Sequence, residues 1–326
     1  MGSLINVVMD VGLLAMLVAS ALMIIRNHSP LTVTILSGIY SLVICTLFVI
    51  LDAVDVAFTE AAVGASISTV LIMAVVKPGD EPVRKVSWPS LTSVALGLVT
   101  GLLLVFGTMD MPWYGDPSAP VHQHLAPRFL GQSGTEIGIP NVVTSVLASY
   151  RGYDTLGEVV VVFTAGTAVL ILLAGDRPQE NKASVDVSLA DNSIIKTILI
   201  RIIPLVILFA LYVQFHGDYG PGGGFQAGVI FGAGIITYGL LSGSGKMLEV
   251  ISEKWVTIGM ASGVLIYGLV GVAAMLLGGE FLNYSVLAES ATSGQHIGIL
   301  IIELGVGVTV AFTMISLFAS FNRGRP

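Results

Sequence analysis

The stretch Asp52–Gly64, DAVDVAFTEAAVG, decides how this chain is read. Three carboxylates, Asp52, Asp55 and Glu60, open a run that is otherwise apolar or small as far as Val76. The whole sequence has the composition of a protein built for lipid. Of its 326 residues 54% are hydrophobic and only 11% charged, against about 25% charged in a soluble domain. Mean hydropathy is +0.90, and several apolar runs reach the roughly 20 residues that cross a bilayer core. A carboxylate carried into hydrocarbon is expensive and marks a functional site by default.

Working outward from that stretch, hydropathy gives an all-α polytopic membrane protein of about nine spans. They run 4–25, 31–51, 53–76, 91–109, 155–174, 194–215, 225–241, 255–277 and 296–321. A polar linker, Lys77–Pro89, follows the third span, and a charged loop, Gly175–Ser193, the fifth. The excursion Asp110–Pro140 is polar and proline-containing. After it, Val142, Val143, Val146, Leu147 and Tyr150 have helical spacing, which predicts a short amphipathic helix at the interface. Of the 14 Lys and Arg residues, all but Arg128, Arg151 and the in-span Arg201 fall on one side of this topology. Basic residues favour the cytoplasm, so the expectation is an N-terminus outside and a C-terminus inside. Cys45 is the single cysteine, which excludes an intrachain disulfide and any cysteine-cluster metal or iron–sulfur site. The first segment lacks a basic leader region and a small-residue cleavage site, so no cleavable signal is expected.

The polar groups inside the spans carry the chemistry. Asp55 and Thr59 are four apart on one face of the third span. Glu60, Gly64 and Ser68 line another at i, i+4 and i+8. Small residues beside them let a neighbouring helix come close, which would enclose Glu60 in protein. Asp52 and Asp55 have a second reading as solvated interfacial groups. In YRGYDTLGE, Asp154 and Glu158 share a face, with Arg151 able to pair with either. Acids also suit the positive end of a helix, the plainer reading of Asp154. Arg201 either snorkels to the cytoplasm or pairs with a carboxylate of another helix or protein chain. The loop HGDYGPGGGFQ, His216–Gln226, is too glycine-rich for helix. Pro221, Gly222, Gly223, Gly224 and Phe225 read first as a tight hairpin packed against a neighbour, with His216 its titrating group. Glu303 stands alone among apolar residues two turns into the last span. The topology places Asp55, Glu60, Glu158, His216 and Glu303 nearer the outer face, which predicts an acidic outer half-channel.

These motifs carry a family resemblance. Ala53–Gly64 resembles the signature of the three-span module in the large A-type component of Mrp-type cation/proton antiporters, which is also the separate D-type component of membrane-bound hydrogenases. Val54 stands where family members commonly have proline. Asn141–Glu158 resembles the hydrogenase E-type module, and Gly217–Gly228 the four-span B-type component of Mrp antiporters. The resemblance implies modules at 1–89, 90–180 and 181–326, fused without the large antiporter-like domain. It also implies a subunit of a multisubunit Na+(K+)/H+ antiporter in the cell membrane. That subunit would be a secondary transporter component, not an enzyme, without cofactors and working with large antiporter-like partners. By motif match, Asp55, Glu60 and Glu158 carry its ion path. Two other readings stand beside it, namely an ion-translocating subunit of a hydrogenase-like redox complex and a passive scaffold.

Overall fold

A computed structural model describes residues 2–76, 90–113, 115–173 and 193–323. The linker Lys77–Pro89 and nearly all of the charged loop Gly175–Ser193 lie outside the described residues. Among those described, nine helices are long and apolar enough to cross a membrane. They are α1 (Gly2–Arg26), α2 (Pro30–Ile50), α3 (Val54–Val75), α4 (Leu91–Thr108), α6 (Gly152–Leu173), α7 (Ser193–His216), α8 (Gly224–Ser242), α10 (Glu253–Leu276) and α11 (Ala291–Arg323). Two shorter helices, α5 (Ala126–Glu136) and α9 (Ser244–Val250), lie between them. The chain is a multi-pass helical membrane protein.

Helix α11 is the axis of the packing. It lies against α10 on one side, α8 on another and α6 on a third. Glycines make these approaches possible. A methyl group on Gly263 of α10 would stand 2.7 Å from the Thr309 amide, and one on Gly305 of α11 2.7 Å from the Gly263 carbonyl. Thr309 Oγ1 donates to the Met260 carbonyl across the same crossing, at 3.1 Å. On α8, Gly224, Gly228 and Gly232 recur every four residues and face α11. A methyl group on Gly228 would lie 2.5 Å from the Gly307 carbonyl. Where lipid is as apolar as the side chains, such close backbone contact is what holds helices together.

Helix α3 departs from the regular spacing expected of it. Its middle, Ala61–Ile67, is a π-helix, whose i→i+5 bonds widen the turn. Thr69, not Ser68, therefore comes back to Gly64, its Oγ1 donating to the Gly64 carbonyl at 3.4 Å. The expected Glu60–Gly64–Ser68 row is broken after Gly64. Asp52 has a plain structural role at the start of this element. It takes φ 57°, which Asp tolerates better than most residues, and Ala53 N–H donates to the Phe48 carbonyl at 2.9 Å. This is the hydrogen-bonded helix end that a left-handed residue closes.

The polar excursion is more ordered than its composition predicts, because α5 forms inside it. The helical segment 142–150 is present, but it is not laid on a lipid surface. Thr144, Ser145 and Ala148 are buried, and Tyr284 Oη donates to the Ala148 carbonyl at 3.1 Å.

Candidate functional site: a carboxylate-lined cavity

Three of the singled-out acids open onto one cavity of about 330 Å³. Asp55 reaches it from the first turn of α3, Glu158 from the second turn of α6, and Glu303 from α11. Thr59, Thr144, Thr155 and Gln226 supply the neutral polar wall, and Gly222, Gly223, Gly224 and Phe225 close one side. None of the lining residues is Lys, Arg or His. The volume is ample for several waters beside polar partners.

Each wall is held by local chemistry. Asn141 caps the segment 142–150, its Oδ1 accepting from the Val143 amide at 2.9 Å. Its Nδ2 donates to the carbonyls of Gly217 and Gly220, at 3.1 and 2.9 Å. Thr144 Oγ1 donates to Gly217 as well, at 2.7 Å. The glycine loop between α7 and α8 is thus clamped by the segment that leads into α6. Tyr267, fully buried in α10, donates to the Gly152 carbonyl at 2.7 Å and fixes the start of α6, two turns before Glu158. Gln226 Nε2 donates to Thr59 Oγ1 at 2.9 Å, tying α8 to α3 beside Asp55.

The glycines of the loop have a specific purpose. Gly223 adopts φ 115°, a left-handed conformation that disfavours other residues. A methyl group there would stand 3.1 Å from Glu303 Oε1, and one on Gly217 3.2 Å from Glu303 Oε2. The loop is therefore a bare-backbone cradle for the Glu303 carboxylate. The motif alone suggests a hairpin against an unspecified neighbour. That neighbour is α11 and its glutamate, in the last span.

The remaining predicted residues sit elsewhere. Glu60 does not line the cavity. Its carboxylate folds back over Gly64 and Ser41 lies beside it, on the α2 side of α3. Asp154 is exposed and pairs with Arg151 at 2.7 Å, which leaves Glu158 without that partner. Arg201 is exposed on α7 and makes no ion pair among the described residues. His216 stacks on Tyr212, with ring centroids 4.9 Å apart, and is not a lining residue.

Two polar clusters are invisible in the sequence. Asp218, buried in the glycine loop, meets His296 of α11 at 2.9 Å. Burial holds its carboxyl above the ordinary carboxylate range, and the nearby imidazole offsets part of that rise. Farther out, Tyr150 donates to Glu136, which also faces Arg128 at 3.6 Å. Burial and that acceptor push the Tyr150 phenol up to about 12. The one sequence signal for the first pair is an acid inside a loop that otherwise consists of turn residues.

A membrane-spanning helical chain that converges acidic groups from three separate stretches on one water-sized cavity has the form of a component of an ion-handling membrane complex. Comparison with known proteins narrows this. Three family models match in succession. The first describes the D component of the hydrogenase MBH (MbhD) and matches residues 15–78, and the second describes its E component (MbhE) and matches 97–189. The third, "Domain related to MnhB subunit of Na+/H+ antiporter", matches 194–316. A Rhizobium meliloti protein, named as a probable K(+)/H(+) antiporter component of A/B type, is 29% identical over 289 residues, which is 79% of this chain and 28% of the relative. A chain in the structure of the Mrp complex from a Dietzia species superposes with TM-score 0.77 at 28% identity, covering 95% of this chain and 34% of that one. A chain of the archaeal membrane-bound sulfane sulfur reductase shares the fold, at TM-score 0.54 and 23% identity over 71% of this chain and 96% of that one. The chain belongs to the Mrp-type antiporter subunits, as a tandem of MbhD-, MbhE- and MnhB-related domains. It spans about a third or less of the Rhizobium protein and of the Mrp-complex chain.

Proposed function

We propose that the chain is a membrane subunit of a multisubunit Na+(K+)/H+ antiporter in the cell membrane. In this reading the cavity carboxylates Asp55, Glu158 and Glu303 form part of the ion or proton path. The observation that carries it is the lining: three acids from three helices, with no basic side chain among them. Such a set cannot stay fully ionised and empty in a low-dielectric site. Like charges close together raise one another's affinity for protons or for a cation. A group that binds and releases positive charge is what a transport path requires. Modules at 1–89, 90–180 and 181–326 each contribute one wall: Asp55 from the first, Glu158 from the second and Glu303 with the glycine cradle from the third. Glu60 is the next station beyond the cavity, toward α2. His216, Asp154 and Arg201 lie outside the lining and have secondary roles at most. Large antiporter-like partners supply the rest of the path, with the N-terminus outside and the cavity toward the outer face.

The test is exchange in everted membrane vesicles that carry the complete complex. Glu158→Gln keeps size and hydrogen bonding but removes the titratable charge. Sodium- or potassium-driven proton movement falls to the level of vesicles without the complex, while the complex is recovered in normal amount. Unchanged exchange with an intact complex would overturn the proposal and leave the chain as a scaffold.

A further inference from the structure

The cavity explains three acids but leaves a fourth group without a task. Asp218 sits in the loop between α7 and α8 with only 5% of its surface exposed. Its Oδ2 meets His296 Nδ1 at 2.9 Å, while its Oδ1 is buried and has no hydrogen-bond partner among the described residues. A buried carboxylate oxygen without a donor is costly, so the arrangement calls for a partner that comes and goes. Its neighbour in sequence, Gly217, is one of the two glycines that cradle the Glu303 carboxylate, and the Asp218 charge acts on Glu303.

The surroundings of Asp218 are sparse in charge. From α11, His296 and Glu303 face this loop. The segment 141–150 presents an amide and hydroxyls, with Asn141 N–H donating to the Asp218 carbonyl at 3.0 Å. Of the other charged groups at this end, Asp55 lines the cavity beyond Gly222, Arg151 and Asp154 neutralise each other, and His216 is engaged with Tyr212. His296 is therefore the one imidazole in contact with Asp218 among the described residues, and about half of its side chain is exposed. Helix α11 has 33 residues, about 50 Å at 1.5 Å per residue. That exceeds the roughly 30 Å of hydrocarbon, and His296 lies in its second turn, close to water. The order from outside to inside is an exposed imidazole, a buried carboxylate, then the cavity glutamate.

We propose that the Asp218–His296 pair is a proton relay that connects solvent at this end of the molecule with Glu303 and the cavity. Imidazolium His296 gives its Nδ1 proton to Asp218 Oδ2, leaving neutral imidazole and carboxylic acid. Rotation of the carboxyl group presents that proton on the side of the unpartnered oxygen. Transfer to the Glu303 carboxylate then restores the Asp218 anion. His296 regains a proton from water, and the pair returns to its starting state. Run backwards, the same steps release a proton from the cavity. The inference rests on the reading of the cavity as a path and adds the group that feeds it.

The test uses the complete complex in everted vesicles, with exchange followed across a pH series. His296→Ala slows the transfer step by roughly 10²-fold, the lower end of what a positioned proton carrier contributes. The deficit grows as pH rises, and added imidazole restores exchange. His296→Gln keeps a hydrogen-bond donor for Asp218 but cannot carry a proton, so it matches His296→Ala in rate with the complex fully assembled. Asp218→Asn is equally slow and does not respond to imidazole. Wild-type exchange in His296→Gln would overturn the relay, as would a loss in His296→Ala that neither pH nor imidazole alters. Glu158→Gln measured alongside separates the two readings: normal exchange there defeats the path itself, whereas loss there with normal His296 variants defeats the relay alone.

Discussion

Helices α8 and α4 look alike on paper and differ completely in place. Both are apolar and long enough to span, and both carry glycines four residues apart, Gly224, Gly228 and Gly232 in one and Gly97 and Gly101 in the other. In α8, 56% of the spanning window is buried, and every one of those glycines meets another helix within van der Waals reach. In α4 none of the window is buried, and no side chain or backbone lies within 4 Å of a methyl group on either glycine. Spacing of small residues therefore permits close packing without saying where it happens. What distinguishes α8 is its partner, α11, which carries its own glycines at 305 and 307 and the glutamate at 303. The packed core and the ion site are one construction. The bare helix takes no part in either.

That contrast can be broken or sharpened by substitution. The largest effect falls in the packed region. Gly228→Leu forces side-chain atoms against the Gly307 backbone and costs about 3 kcal/mol or more, read as thermal unfolding of the purified chain in detergent. A second effect concerns pH. Asp218 is held above its ordinary carboxylate value, so the folded state binds its proton more tightly than the unfolded state does. The stability this contributes is complete below the unfolded value and is lost as pH rises through the folded value. The unaltered chain should therefore lose melting temperature between mildly acidic and neutral pH relative to Asp218→Asn. Parallel curves for the two would contradict that shift. The smallest effects fall on exposed features. Arg151→Gln removes an ion pair whose two side chains are more than half exposed, and costs less than about 1 kcal/mol. Gly97→Leu stays within about 0.5 kcal/mol, because there is nothing for the new side chain to strike.

The spans are legible in the sequence because hydropathy needs only composition along the chain. Asp55 and Glu158 are legible because a charge in an apolar run stands out. Their meeting is not, since the cavity walls lie some 250 residues apart, from Asp55 to Glu303, and periodicity on one helix says nothing about another. The π-helix in α3 is also hidden. Ala61–Ile67 has no proline or charge to mark it, and the extra residue per turn changes which side chain returns to Gly64. The glycine loop shows its turn in the sequence but not its cradle. A bare backbone against a carboxylate leaves no local mark other than the glycines themselves. Asp218 and His296 are hidden for a similar reason, each being an ordinary polar residue until α11 sets one beside the other. The glycine rows on α8 and α10 are a usable signal, because Gly224, Gly228, Gly232, Gly259 and Gly263 recur at helical spacing.

The most direct test of the account is the exchange rate of Glu303→Gln. The complex is assembled with this variant and quantified, and cation-driven proton movement is followed in everted vesicles. Glu303 touches the cavity, the glycine cradle and the relay at once, and Gln preserves its size. The account predicts exchange at background with the complex present in normal amount. Exchange at the unaltered rate from a fully assembled complex would contradict it.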